Sequence, residues 1–117
     1  MTMESDLQAV LETCCPNVYP VAADPVPAGS FVTWQLIGGQ PWRYMDNQAA
    51  DARHSMVQVN TWAATRAESL TLARAIEDAL CASTAFIARP DSEPLGDVDD
   101  DTDRRGCLQD FSIWGTR

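Results

Sequence analysis

Lysine is absent: all eight basic residues of the 117-residue chain are arginine, and against seventeen acids they leave a formal net charge of −9. Affinity for nucleic acid comes largely from basic side chains that release counterions from phosphates, so this balance argues against DNA or RNA binding as the main activity. Histidine is nearly absent too. With His54 alone, any imidazole base or imidazole-built metal centre has a single member available. The four cysteines, Cys14, Cys15, Cys81 and Cys107, contain no C-x-x-C spacing, which removes the usual frame of a structural zinc site. Cys14, on an apolar face, and Cys81, at a helix end, read as small buried hydrophobes. No apolar run approaches the about 18 residues of a membrane span, and no signal peptide is visible. These features lead us to expect a soluble intracellular protein with reduced thiols.

Catalytic motifs are missing as well. A triad could be drawn on paper from His54, a serine and one of many aspartates, but no G-x-S-x-G nucleophile elbow exists, and His54 reads as a strand-edge polar residue. Gly38 and Gly39 stand without a following Lys or helix start, so they mark a turn rather than a phosphate loop. Asp97, Asp99, Asp101 and Asp103 alternate like calcium ligands, but the register fails. The loop glycine is replaced by Thr102 or Arg104, depending on the alignment, and Leu108 stands where the bidentate Glu belongs. No catalytic, cofactor or metal residues are therefore assigned.

What the chain does contain is periodicity. Leu7, Val10, Leu11 and Cys14 fall on one helical face, predicting a helix over 3–14. Four prolines in the sixteen residues 15–30 then predict an extended loop. "SFVTWQLIGG" alternates Val32, Trp34 and Leu36 against Thr33 and Gln35, and "RHSMVQVNTWA" alternates Val57 and Val59 against Met56, Gln58, Asn60 and Trp62. Both read as half-buried strands. "QPWRYMDNQAAD" between them is a candidate for a shorter strand. Thr65 and Glu68 form a T-x-x-E capping box, so a helix starts at Arg66 and runs to about Cys81. Its stripe is Ser69, Leu72, Ala73, Ile76, Ala79 and Leu80. "TAFIARP" is a short strand candidate, about 91–105 reads as an exposed, mobile acidic loop, and "GCLQDFSIWGTR" closes the chain as an antiparallel strand. Phe111 and Ile113 share one face of that strand, with Leu108 and Trp114 on the other.

The expected fold is a single α+β domain over 1–117, with a small, mostly antiparallel sheet of about four strands packed against two helices and joined by long loops. Of the tryptophans, Trp34 reads as core. Trp42, beside Arg43 and Tyr44 and near Asp46 in the segment "GGQPWRYMDNQ", is the candidate interface, since Trp and Arg are favoured anchors.

Taken together, "VQVNTWAATRAESLTLARAIEDAL", the closing "DRRGCLQDFSIWGTR" and Val18-Tyr19-Pro20 after an N-terminal helix resemble the tail completion proteins of tailed bacteriophages and prophages. These are also called tail terminator or tail-to-head joining proteins. The resemblance implies assembly rather than catalysis: a homo-oligomeric ring, typically a hexamer, that ends the tail tube and contacts both the tube protein and the head–tail connector protein. It places the chain in the virion at the head-proximal end of the tail, after assembly in the host cytoplasm. DNA would pass through without being specifically bound, and Asp97, Asp99, Asp100, Asp101 and Asp103 would form an acidic lumenal loop that repels it. The long acidic stretch is where the sequence departs from the family pattern. A head-closure or neck protein is the alternative reading, followed by a small acidic metal-binding protein or a host-directed interaction protein.

Overall fold

The computed structural model describes residues 3–20, 29–38, 52–99 and 104–116. Helix α1 (Met3–Cys14) is followed by strands β1 (Val18–Pro20), β2 (Phe31–Gly38) and β3 (Ala52–Ala63). Helix α2 (Arg66–Ala82) then leads to strands β4 (Ile87–Pro90), β5 (Leu95–Asp99) and β6 (Arg104–Thr116). The strands form one open, six-stranded sheet in the order β1-β2-β3-β6-β4, with β5 also on β6. Among the described residues, only the β1–β2 pairing is parallel.

Both predicted helices and the strand alternation are present, but six strands replace the expected four. The first addition is β1, inside the stretch read as loop. It pairs with β2 from Val18 opposite Val32 to Pro20 opposite Trp34, and at the margin of the sheet a proline lacking N–H is tolerated. The second is β5, inside the stretch read as a mobile acidic loop. It pairs from Leu95 opposite Leu108 to Asp99 opposite Arg104, so that part of the stretch is an ordered hairpin arm. Charge on an edge strand does not prevent pairing; it discourages further strands from adding. The candidate strand at 41–51 lies outside the described residues.

Strands β4 and β5 act as one interrupted edge along β6. Between Pro90 opposite Phe111 and Leu95 opposite Leu108, residues 91–94 face only 109 and 110, so the edge bulges. The bulge is held from inside. Buried Gln109 donates its side-chain amide to the Ser92 carbonyl at 2.9 Å and to Glu77 Oε1 at 2.6 Å.

One face of the sheet carries the helices. Val57, Phe111 and Ile113 from the sheet meet Leu7 and Leu11 of α1 and Ile76 and Leu80 of α2, each with 1% or less of its surface exposed. Such side chains contribute about 1.5–3 kcal/mol apiece when fully buried. Trp34 belongs to this core, and its indole N–H is satisfied by Gln8 Oε1 at 2.7 Å. Gln8 in turn donates to the Val18 carbonyl at 3.1 Å, tying α1 to β1.

The abrupt change from β3 to α2 follows from the cap. Thr65 is extended (φ −125°, ψ 156°), and its hydroxyl accepts the Glu68 amide at 3.2 Å, which satisfies one of the unpaired donors of the first turn. One turn later, buried Ser69 returns a hydroxyl bond to the Arg66 carbonyl at 2.9 Å, while the Thr61 hydroxyl lies 3.3 Å from the Ser69 carbonyl. The helix start is therefore fastened to the strand it left.

On the opposite face, Phe31 stacks on Trp62 with ring centroids 6.3 Å apart, and the indole lies over Gly106. A Cβ at Gly106 would sit 2.6 Å from the Trp62 ring and 2.9 Å from the Thr61 carbonyl, so this strand position needs glycine for space. At Gly96 a Cβ would meet only the Arg66 guanidinium at 3.6 Å. Gly106→Ala should lower the unfolding free energy by about 1–3 kcal/mol in urea titration, as overpacking does, whereas Gly96→Ala should stay within about 0.5 kcal/mol of the parent. Equal effects of the two would contradict the close approach of Trp62.

Candidate assembly surfaces

The residues proposed from sequence divide into two groups. Trp42, Arg43, Tyr44 and Asp46 lie outside the described residues, as do Asp100, Asp101 and Asp103. Asp97 and Asp99 belong to β5, opposite Gly106 and Arg104.

His54 has a structural environment. It stands directly across from Trp114 on β6, their rings 4.8 Å apart and tilted by 41°, and its Nε2 is 2.5 Å from Ser112 Oγ. A His–Ser pair is part of a hydrolase triad, but Ser112 sits within the continuous strand β6 and not on the strand-to-helix turn that exposes such a nucleophile. The contact reads as a cross-strand polar pair. His54 is the third residue of β3, which lies between β2 and β6 in the sheet order. Among the described residues, no group of three His, Cys, Asp or Glu side chains could hold a metal ion.

Among the cysteines, Cys14 packs partly buried against the core as its apolar face suggested, whereas Cys81 does not match the buried position expected of it. All four are free; Cys15 and Cys107 are buried, Cys14 is half-buried and Cys81 is exposed. Cys81 falls off the stripe formed by Ser69, Ala73, Ile76 and Leu80, so it projects away from the sheet. Cys15 lies just beyond the end of α1, where its thiol reaches the Asn17 and Ser30 carbonyls at 3.7 and 3.6 Å.

Two surfaces that the sequence reading missed are suited to contact other proteins. The first is the sheet face away from the helices. Ile87 and Trp114 are paired across β4 and β6 on that face and are 63% and 39% exposed, and Leu95, paired with Leu108, is 69% exposed. Large apolar groups left in water on one face mark an interaction surface more often than an isolated exposed leucine does. The alternation of β6 already placed Trp114 opposite Phe111 and Ile113; what sequence lacked was the pairing that adds Ile87 to it.

The second surface is an open cleft of about 630 Å³ between the end of α1 and the outer side of α2. Its walls include Cys14, Cys15, Ser30, Ala67, Leu72 and Ala75, and Glu68 is the charged residue among them. The cleft exists because the helices meet only in part: Leu72 and Cys14 pack against the core from its margin, while Ala67 and Ala75 are too small to fill the space between them. Such a groove has the shape for an apolar side chain, and its charge favours a cation beside that side chain.

The family model described as Tail completion protein gp17 matches residues 2–114. No curated protein matches the chain.

Cys81 provides a check on the electrostatics of the exposed side of α2. Partial burial, with the Glu77 and Asp78 carboxylates, raises its thiol pKa above the ordinary value against a smaller opposing effect of Arg89. A raised pKa means less thiolate at pH 8, the form that reacts. Cys81 should therefore be alkylated by iodoacetamide more slowly than free cysteine at that pH, and Asp78→Asn should speed it. An unchanged rate in the variant would show that the carboxylate does not act on the thiol.

Proposed function

The chain belongs to the phage tail completion protein gp17 family, a structural family of tail assembly and not a known enzyme family, and on that premise we propose that it forms a ring that terminates the tail tube and joins the tail to the head. The observation that carries this reading is the extent of the match, which takes in both helices and all six strands up to Trp114. A tail completion role requires contact with other tail components, here proposed as the tube protein on one side of the ring and the connector protein on the other. A hexamer is the ring size proposed, with the chain at the head-proximal end of the virion tail and 1–117 folding as one domain.

Physical features of the chain suit that role. A cyclic ring repeats one heterologous contact, so each subunit needs two different patches, and the helix cleft and the outer sheet face are both available. Exposed Ile87, Leu95 and Trp114 supply apolar area for protein contacts. The net charge of −9 suits a passage through which DNA must move without being held. Within this reading Asp97, Asp99, Asp100, Asp101 and Asp103 face the passage. If they do, replacing Asp99, Asp100 and Asp101 together with Asn should slow DNA ejection from otherwise intact particles; unchanged ejection would count against a lumenal position.

The assignment itself is tested with a stop codon at Trp34 in the parent phage or prophage, followed by electron microscopy of the particles. Overlong tubes, or finished tails lying detached beside DNA-filled heads, are expected. Heads that have lost their DNA would move the protein to head closure, and normal infectious virions would end the structural assignment.

A further inference from the structure

The cleft between α1 and α2 lies on the helix side of the sheet, whereas Ile87 stands on the opposite face, paired with Trp114 and 63% exposed. Ala88, the next residue of β4, belongs to the core beneath the helices, so the alternation of the strand fixes Ile87 outward. The sheet itself then separates Ile87 from the cleft of its own chain. A fit between these two sites is made by two copies or not at all.

Size and chemistry favour the fit. An apolar cavity of about 150 Å³ accommodates a benzene, so a cleft of about 630 Å³ admits an isoleucine side chain with room for part of its neighbours. Ala67, Leu72 and Ala75 give it apolar walls, and Glu68 is the charged residue among them. Two large aliphatic side chains are exposed along the β4–β5 edge, and charge chooses between them. Leu95 follows Glu93 and precedes Asp97 by two residues each, so its sequence neighbours carry the sign of Glu68. Ile87 precedes Arg89 by two residues, which puts the exposed arginine at the next position on the same face of β4. Arginine matches a carboxylate in charge and fork geometry, and in a chain of net charge −9 it offsets repulsion between copies at this point. We infer that the α1–α2 cleft receives Ile87 of a second copy of the chain, with Arg89 of that copy facing Glu68 of the receiving one. The inference rests on the ring reading and gives its repeated contact a definite form. Donor and acceptor lie on opposite faces of one sheet, so the contact is heterologous and passes from copy to copy until it closes.

Cysteine trapping tests the contact without requiring a closed ring. The full chain carries Cys81→Ser, which removes the exposed thiol, and either Ile87→Cys or Leu95→Cys. It is held in oxidised glutathione at about 1 mM, where a single weak contact is populated. Ile87→Cys should form disulfides between copies, mapped by mass spectrometry from position 87 to half-buried Cys14. Their yield should be about threefold or more that from Leu95→Cys, the scale of an exposed ion pair. Arg89→Glu should lower the yield about threefold. Glu68→Arg should lower it as well, although a cation near Cys14 would by itself favour the thiolate and speed oxidation. The helix cap survives that change, because Thr65 accepts the backbone amide of Glu68. The two charge changes together should restore the yield. No linkage to Cys14, equal yields from positions 87 and 95, or a charge-swapped pair that stays low overturns the inference. These are also the results expected where another part of the same chain, or another tail protein, fills the cleft. Electron microscopy of virions separates the contact from the wider reading. Trapping in a chain that forms no ring at the tail end would retire the ring and leave the contact. A normal ring built from Ile87→Asp, with no trapping at position 87, would retire the contact and leave the ring.

Discussion

The structure depends on the antiparallel ladder between β3 and β6, which runs without a register break from Ala52 opposite Thr116 to Ala63 opposite Arg105. Every strand other than β1 pairs with one of these two, and β1 is attached through β2. The ladder also sets the faces. Because strand side chains alternate, fixing Val57 opposite Phe111 on the helix side assigns every other residue of both strands, and a slip by one would exchange the apolar set for Gln58, Asp110 and Ser112. The burial of Val57, Phe111 and Ile113 under two helices makes that slip costly.

Among the described residues, helices cover one face only, and this one-sidedness leaves surfaces for contact. A sheet packed on both faces would leave loops as its main surface. Here Trp114, Ile87 and Leu95 remain in water on the open face, and the partial meeting of α1 and α2 leaves a cleft on the covered side. Both features rest mainly on helices and strands, which suits the ring proposed for this chain, where one contact geometry would recur. The acidic edge at Asp91 and Glu93, together with Pro90, discourages indiscriminate strand addition along β4 and β5.

Much of the fold was readable where local signals agreed with tertiary packing. The α1 stripe, the Thr65 cap and the alternation of β3 and β6 each carried a period or a motif that burial then reinforced. The misses arose where pairing overrode composition. Val18-Tyr19-Pro20 is too short and too near prolines to announce a strand, and Leu95–Asp99 carries two aspartates; each becomes a strand because a long neighbour offers it a ladder. Cys81 was misplaced because one residue past Leu80 on a helix is about 100° away from the buried stripe. The candidate surfaces were the least readable feature: the cleft joins residues from both helices and Ser30, and no linear pattern brings them together.

The central claim, the ring proposed at the tail end, is most directly tested by cryo-electron microscopy of intact virions at the junction of tail and head. The account predicts copies of this chain in a closed ring between tube and connector. Density for the chain elsewhere in the particle, or its absence from that junction, would contradict it.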